Sequence, residues 1–230
     1  ELLLELRKIK SEQELAWLKR SAEIAVKGMR RAAELVEVGR TELEIAAEAE
    51  HAMRLAGSGG TPFSTIVASG RNSWLPHAVA THKKLRRGEL LFVDLGATFE
   101  GYASDMTRTF AVGPTPRQKR LMELVKRAQA AAMTRVKGGV RASVVDETAR
   151  KIISRGGYAR FCLHGAGHGV GMEIHEPPSL SPTSKDILEN GMVITVEPGV
   201  YVPGVGGARW EDMVQVTKNG HKLLTAFNSL

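Results

Sequence analysis

The sequence predicts an α+β protein of two similar halves, each a pair of helices joined to a β-hairpin, and three observations carry that prediction. Apolar residues recur at helical spacing in four segments bounded by capping residues and glycines. Two blocks rich in strand-forming residues fold about turn-prone sequences. The blocks also share a spacing: Leu85-x-x-Gly88 leads six residues later to Asp94, and Leu188-x-x-Gly191 leads six residues later to Glu197. A second carboxylate follows 11 residues after the first (Asp105) and 14 after the second (Glu211), which suggests a pseudo-twofold arrangement.

Taken in order, Ser11-Glu12-Gln13-Glu14 reads as a capping box, and Leu15, Leu18, Ala22, Ala25, Met29, Ala32, Leu35 and Val36 keep one apolar face until Gly39. Thr41-Glu42-Leu43-Glu44 repeats the capping logic for a second helix ending near Gly57. Leu90 to Leu95 and Thr107 to Val112 flank Glu100-Gly101 as the first hairpin. Thr115-Pro116 starts a third helix, with proline at the first helical position and Leu121, Leu124, Val125, Ala128 and Ala132 on one face before Gly138-Gly139. A fourth runs from Ser143 to Arg155, before Gly156-Gly157. Met192 to Glu197 and Ala208 to Thr217 form the second hairpin around the glycines of 203–207.

Composition bounds the function. With 230 residues, 43% hydrophobic and 25% charged, the chain can bury a core and is not a disordered tail. No apolar run approaches membrane-spanning length, and the start ELLLELRKIK lacks the order of a signal peptide. The single Cys162 supports neither an internal disulfide nor a thiolate metal cage, so a cytoplasmic protein is expected. Because the chain begins at Glu1 rather than Met, it reads as a processed product or a fragment. The formal charge of +7 is uneven: residues 61–160 carry 18 basic and 7 acidic side chains. Most of that excess lies between Arg117 and Arg160 and reads as the solvated face of two helices. It has no aromatic interleaving, so nucleic acid is not an expected partner.

Chemistry concentrates in the carboxylates. Asp94 ends Leu-Leu-Phe-Val, where a half-buried strand normally continues apolar, and Glu197 ends Met-Val-Ile-Thr-Val. With the first turn near residues 99–101, Asp94 lies opposite Asp105 or within two residues of it, and period-two alternation leaves both on one face. Folding about Gly204 likewise sets Glu197 across from Glu211. Four close carboxylates repel by several kcal/mol per pair unless protons or cations neutralise them, and two divalent ions do so naturally. His168, within the glycine-rich run from His164 to Gly171, is the candidate nitrogen ligand. Oxygens with one imidazole favour Mn²⁺ or Co²⁺, with Zn²⁺ admissible. Two such ions would share a hydroxide poised to attack a carbonyl.

These residues resemble the pita-bread metallopeptidases, a family that includes methionine aminopeptidase, Xaa-Pro aminopeptidase and prolidase. The matching segments are Ile66-Val-Ala-Ser-Gly70 with Pro76-His77, Phe92-Val-Asp94-Leu-Gly96, Gly101 to Phe110, His164 to Gly171 with Glu173 to Pro177, Val196 to Tyr201, and Arg209 to Val214. The resemblance implies a pseudo-twofold α+β fold with a curved antiparallel sheet covered by helices, and a single catalytic domain over residues 1–230, the N-terminal domain usual in proline-specific relatives being absent from this chain. It also implies five metal ligands, Asp94, Asp105, His168, Glu197 and Glu211. Asp105 and Glu211 would bridge two ions, Asp94 would hold one, and His168 with Glu197 the other. Glu197 would pass the proton of the attacking water to the leaving amine. His77 and His175 match histidines that contact the substrate carbonyl, and His164 and Arg209 match substrate-side residues.

Arg209-Trp-Glu211-Asp212 resembles the Arg-x-Glu-Asp of the proline-specific branch rather than the methionine branch. The expected reaction is hydrolysis of the bond between an N-terminal residue and a following proline. Methionine aminopeptidase activity, or a catalytically inactive binding module of the same fold, are the alternatives. The implied partners are a peptide with proline in second position and a second copy of the chain in a homodimer. Some prolidases carry, after His-Glu-Pro-Pro, an arginine that grips a dipeptide carboxylate; Ser179-Leu180 stands here, which argues against strict dipeptidase activity.

Overall fold

The computed structural model describes residues 2–227. A short helix α1 (Leu2–Lys8) precedes the long α2 (Glu12–Glu34) and α3 (Glu42–Leu55). Ser11 accepts from the Glu14 amide while the Glu14 carboxylate accepts from the Ser11 amide, and Thr41 and Glu44 do the same for α3, so orphan donors at both helix starts are satisfied. The strands β1 (Ile66–Ser69), β2 (Glu89–Leu95), β3 (Thr98–Phe99), β4 (Tyr102–Ala103) and β5 (Met106–Val112) follow. Next come α4 (Pro116–Met133), with the Thr115/Gln118 box and proline in its first turn, and α5 (Ala142–Arg155), which begins at Arg141 without a side-chain cap. The last block holds β6 (Gly167–Gly169), β7 (Glu176–Leu180), β8 (Val193–Val196), β9 (Gly199–Val202), β10 (Gly206–Arg209), β11 (Asp212–Thr217) and β12 (Gly220–Leu223).

Both hairpins are more elaborate than alternation predicts. β2 pairs antiparallel with β5, but the chain between them forms the separate β3–β4 pair; β8 pairs with β11, but β9–β10 is inserted between them. Ala208 and Arg209 therefore belong to β10 and not to the strand that begins at Asp212, a correction to the continuous strand expected over Ala208 to Thr217. Glycines sit at the two breaks: a side chain at Gly96 would occupy the Ser104 carbonyl, and one at Gly199 would meet the Tyr201 hydroxyl and the His164 ring, so neither position admits a larger residue. The shared Leu-x-x-Gly spacing also has a conformational basis: Gly88 and Gly191 sit at φ +84° and +94°, in matching turns ahead of β2 and β8.

Each half buries its own apolar cluster. In the first, Ile24 and Met29 of α2 and Ile45 and Met53 of α3 cover Val67 and Val93; in the second, Leu121 and Val125 of α4 and Val145 and Ile153 of α5 cover Ile194 and Val214. Each such side chain contributes about 1.5–3 kcal/mol on burial. The sheets run β1-β2-β5 and β12-β11-β8-β6-β7. The halves are stitched where Thr109 Oγ1 donates to the Arg209 carbonyl (2.7 Å) and accepts from its amide (3.0 Å), and where the Glu211 amide donates to the Thr107 carbonyl (3.1 Å). Helix periodicity finds neither the seven-residue α1 nor the short, glycine-rich β6. No helix among the described residues is long and apolar enough to cross a membrane.

Candidate metal centre

The seam between the halves opens into a cavity of about 440 Å³, whose lining includes His77, Asp94, Asp105, His164, His168, His175, Glu197, Arg209 and Glu211. Every residue singled out by sequence thus reaches one place. Register explains how. Asp94 pairs directly with Thr107 rather than Asp105, so Asp105, two residues before Thr107, shares its face. Val196 pairs with Asp212, which sets Glu197 opposite Glu211 just beyond the ladder.

The tightest group among the described residues is Asp105, His168 and Glu211, whose ligand atoms all lie within 4.8 Å of one another. His168 Nδ1–H donates to the Gly169 carbonyl (3.0 Å), which turns Nε2 toward Asp105 Oδ2 (3.5 Å) and Glu197 Oε1 (3.3 Å). Asp94 and Glu197 stand outside that group. Asp94 is bound by the Arg209 guanidinium through Oδ2, while its Oδ1 is buried with no hydrogen-bond partner.

Electrostatics follow from burial. Asp105 is pushed up to about 7, by burial first and then by the neighbouring Asp94 and Glu197, although His168 pulls it down. Glu211, only 1% exposed, is raised well above the carboxylate range by burial and by Asp105, Glu197 and Asp94. For Glu197, burial alone would act upward, but the hydrogen bond and charge of His168 hold it near about 2. His168 loses charge preference to burial and regains more from Asp105 and Glu197, so it is raised. Crowded carboxylates that can shed repulsion only by taking up protons, a buried oxygen without a donor, and an imidazole aimed among them form a donor set suited to hard or borderline divalent cations.

His164 and Arg209 line the cavity but are committed to protein partners. Arg209 Nε donates to Thr107 Oγ1 (3.1 Å), one amino group donates to the Pro76 carbonyl (3.1 Å) and the Tyr201 hydroxyl (2.6 Å), and the other holds Asp94. The Tyr201 hydroxyl donates onward to His164 Nε2 (2.8 Å), and His164 Nδ1–H donates to the Gly165 carbonyl (2.8 Å). Burial lowers His164, which keeps it neutral. The ring of His175 lies 4.4 Å from that of His168, centroid to centroid; burial and His168 lower its proton affinity.

Sequence reasoning missed three supporting residues. Thr107 donates to Glu211 Oε2 (2.6 Å), and Thr195 accepts from the His168 amide (3.0 Å) and reaches Glu197 Oε1 (3.3 Å). Both lie two positions from a candidate ligand on the same strand face, a signal that alternation makes available. The third, Tyr201, carries no comparable sequence signal.

Residues 16–218 match the family described as Metallopeptidase family M24. A relative named Xaa-Pro dipeptidase, from Pyrococcus horikoshii, is 44% identical over 226 residues, which is 98% of this chain and 64% of that one. The solved prolidase from Pyrococcus furiosus superposes with a TM-score of 0.97 at 43% identity, covering 99% of this chain and 68% of that chain. The solved X-Pro aminopeptidase from Thermotoga maritima gives 0.95 at 37%, covering all of this chain and 65% of that one. The chain spans a little under two thirds of the length of the curated relatives it matches.

Proposed function

This chain belongs to metallopeptidase family M24 and has its pita-bread fold, and from that premise we propose that it hydrolyses the bond between an N-terminal residue and a following proline, using two divalent metal ions. The observation that carries the reading is the convergence, in one cavity between the halves, of four carboxylates and the inward nitrogen of His168. In this reading Asp94, Asp105, His168, Glu197 and Glu211 would hold the ions. Ions held there would supply a Lewis acid for the scissile carbonyl and lower the pKa of the attacking water.

The remaining steps fall to the chain's own side chains. Glu197, kept ionised by the neighbouring His168 imidazole, accepts the proton of the attacking water at its carboxylate oxygen and passes it to the leaving imino nitrogen. His77 and His175, both at the cavity wall and open to solvent, face the substrate carbonyl and stabilise the charge that develops on its oxygen. Arg209 and His164 act through Tyr201 and Asp94, holding the Asp94 carboxylate in its orientation toward the cavity. Ser179 lines the cavity at the sequence position where some prolidases carry an arginine for a dipeptide carboxylate, so longer Xaa-Pro-Yaa peptides are expected to be accepted beside Xaa-Pro dipeptides.

The test is a substrate panel. Protein stripped of metal and reloaded with Mn²⁺ or Co²⁺ is expected to cleave Xaa-Pro and Xaa-Pro-Yaa peptides and to leave Met-Ala-Ser intact. Absence of turnover with every divalent ion tried, in protein that remains folded, would overturn the proposal.

A further inference from the structure

Glu42 is the first residue of α3, wholly buried, and not among the residues that line the cavity. Burial of a carboxylate demands donors, and Glu42 has them in number. Its Oε1 accepts from the Ser69 amide (2.8 Å), the Ser69 hydroxyl (2.7 Å) and the Asn72 side-chain amide (3.1 Å). Its Oε2 accepts from the same Asn72 amide (2.9 Å), the Thr81 amide (3.1 Å) and the Thr81 hydroxyl (2.6 Å). The start of α3 adds backbone bonds, from the Glu42 amide to the Lys83 carbonyl and from the Leu43 amide to the Thr81 carbonyl, both 3.1 Å.

The donors bracket one loop. Ser69 ends β1, Asn72 lies in the following 3₁₀ turn, and Thr81 closes the loop; between them, His77, Ala78 and Val79 line the cavity. The middle of the loop is held from the opposite side, where the Gly207 amide donates to Ser73 Oγ (2.8 Å) and Arg209 donates to the Pro76 carbonyl. A single carboxylate thus fastens both ends of the segment whose centre reaches the site. We propose that Glu42 is a positioning residue that fixes the loop of residues 70–81 and so aims His77 at the substrate; this rests on the reading above that His77 contacts substrate. A misplacement of about 1 Å in such a contact costs up to about 100-fold in rate.

The experiment compares the metal-loaded protein with Glu42→Gln, His77→Ala and the double variant, following Xaa-Pro hydrolysis, metal content and hydrogen exchange over residues 70–81. Glu42→Gln keeps the shape but sets an amide against donors. It is expected to lower kcat roughly 10- to 100-fold with KM and metal content little changed, and to speed exchange across the loop while the interior of α3 stays protected. In the His77→Ala background the same substitution is expected to add almost nothing. Equal losses in both backgrounds, or unchanged exchange in the loop, would overturn the proposal. Should Glu42→Gln not fold, Thr81→Val, which removes one hydroxyl donor at the far end of the loop, carries the same comparison with a smaller loss. An inactive wild-type protein would overturn the assigned reaction, and the exchange measurement would still decide the role of Glu42.

Discussion

Residues 12–55, which span α2 and α3, carry seven basic and nine acidic side chains, whereas residues 117–160, which span α4 and α5, carry twelve and three. Both helix pairs nevertheless cover a sheet with the same kind of apolar face. Apart from the buried Glu42 and Asp146, this charge lies toward the outside and is free to drift between two halves of one plan, because exposed pairs such as Arg31–Glu34 or Lys151–Glu147 are worth about 0–1 kcal/mol. Inside, the halves differ in a way that is not free. The first supplies Asp94 and Asp105; the second supplies His168, Glu197, Glu211 and Arg209. Each half also holds the other's acids, Arg209 gripping Asp94 and Thr107 bonding Glu211, so the centre exists only when the halves are closed upon each other.

The strongest test of that shared centre is Glu211→Gln. If both halves are needed to hold metal, the variant is expected to lose bound metal and at least about 1,000-fold in rate, read by metal analysis beside peptide hydrolysis. Retained metal with full turnover would break the picture. A smaller loss, about 10- to 100-fold in kcat/KM, is expected for Arg209→Lys, because an ammonium cannot span Thr107, Tyr201, Pro76 and Asp94 at once. The corresponding check is whether metal affinity falls together with rate.

The crowding of acids across the seam also predicts a pH dependence for metal-free protein. Asp105 and Glu211 are raised in the fold, so the folded state binds protons that the unfolded chain releases; the contribution of Asp105 is lost as pH climbs from about 4 toward 7, and that of Glu211 as pH rises through its own raised value. His168 is raised too, and its contribution, complete below about 6.5, is lost as pH rises through its folded value. Glu197, held near about 2, contributes above about 4.5 and changes little across that window. Chelated protein is therefore expected to melt at a lower temperature at pH 7.5 than at pH 5.5, and added Mn²⁺ to raise Tm more at the higher pH. A Tm that rises with pH in chelator would contradict the cluster's electrostatics.

The smallest effects separate the helix starts. Thr41→Ala removes a capping box and should cost about 1 kcal/mol, whereas Arg141→Ser supplies the cap that α5 lacks and should add about 0.5 kcal/mol, both measured by denaturant unfolding.

Much of this was legible before any coordinates. α2, α3 and α4 are announced by caps, glycines and apolar period, α5 by the Gly156-Gly157 that ends it, and Asp94 and Glu197 stand out because an acid ends an apolar strand. α1 escaped because seven residues give periodicity too little length, and β6 because glycines on either side of His168 carry no strand signal; it pairs with β7 and β8 only once the half is assembled. Thr107 and Thr195 were available through alternation, but nothing local distinguishes a threonine that supports a carboxylate from one that merely suits a strand.

By itself, then, the sequence determined which segments are helical, where carboxylates sit on strands, and that two blocks follow one plan, because propensity, capping and alternation act between residues close in the chain. Tertiary structure decided the rest. Arg209 became the partner of Asp94 across 115 positions, Glu42 the anchor of a loop 27 to 39 residues away, and His164 a member of the Tyr201 relay. Those assignments depend on which buried polar groups meet when the two halves close, and a low-dielectric seam makes every such meeting obligatory for the groups inside it.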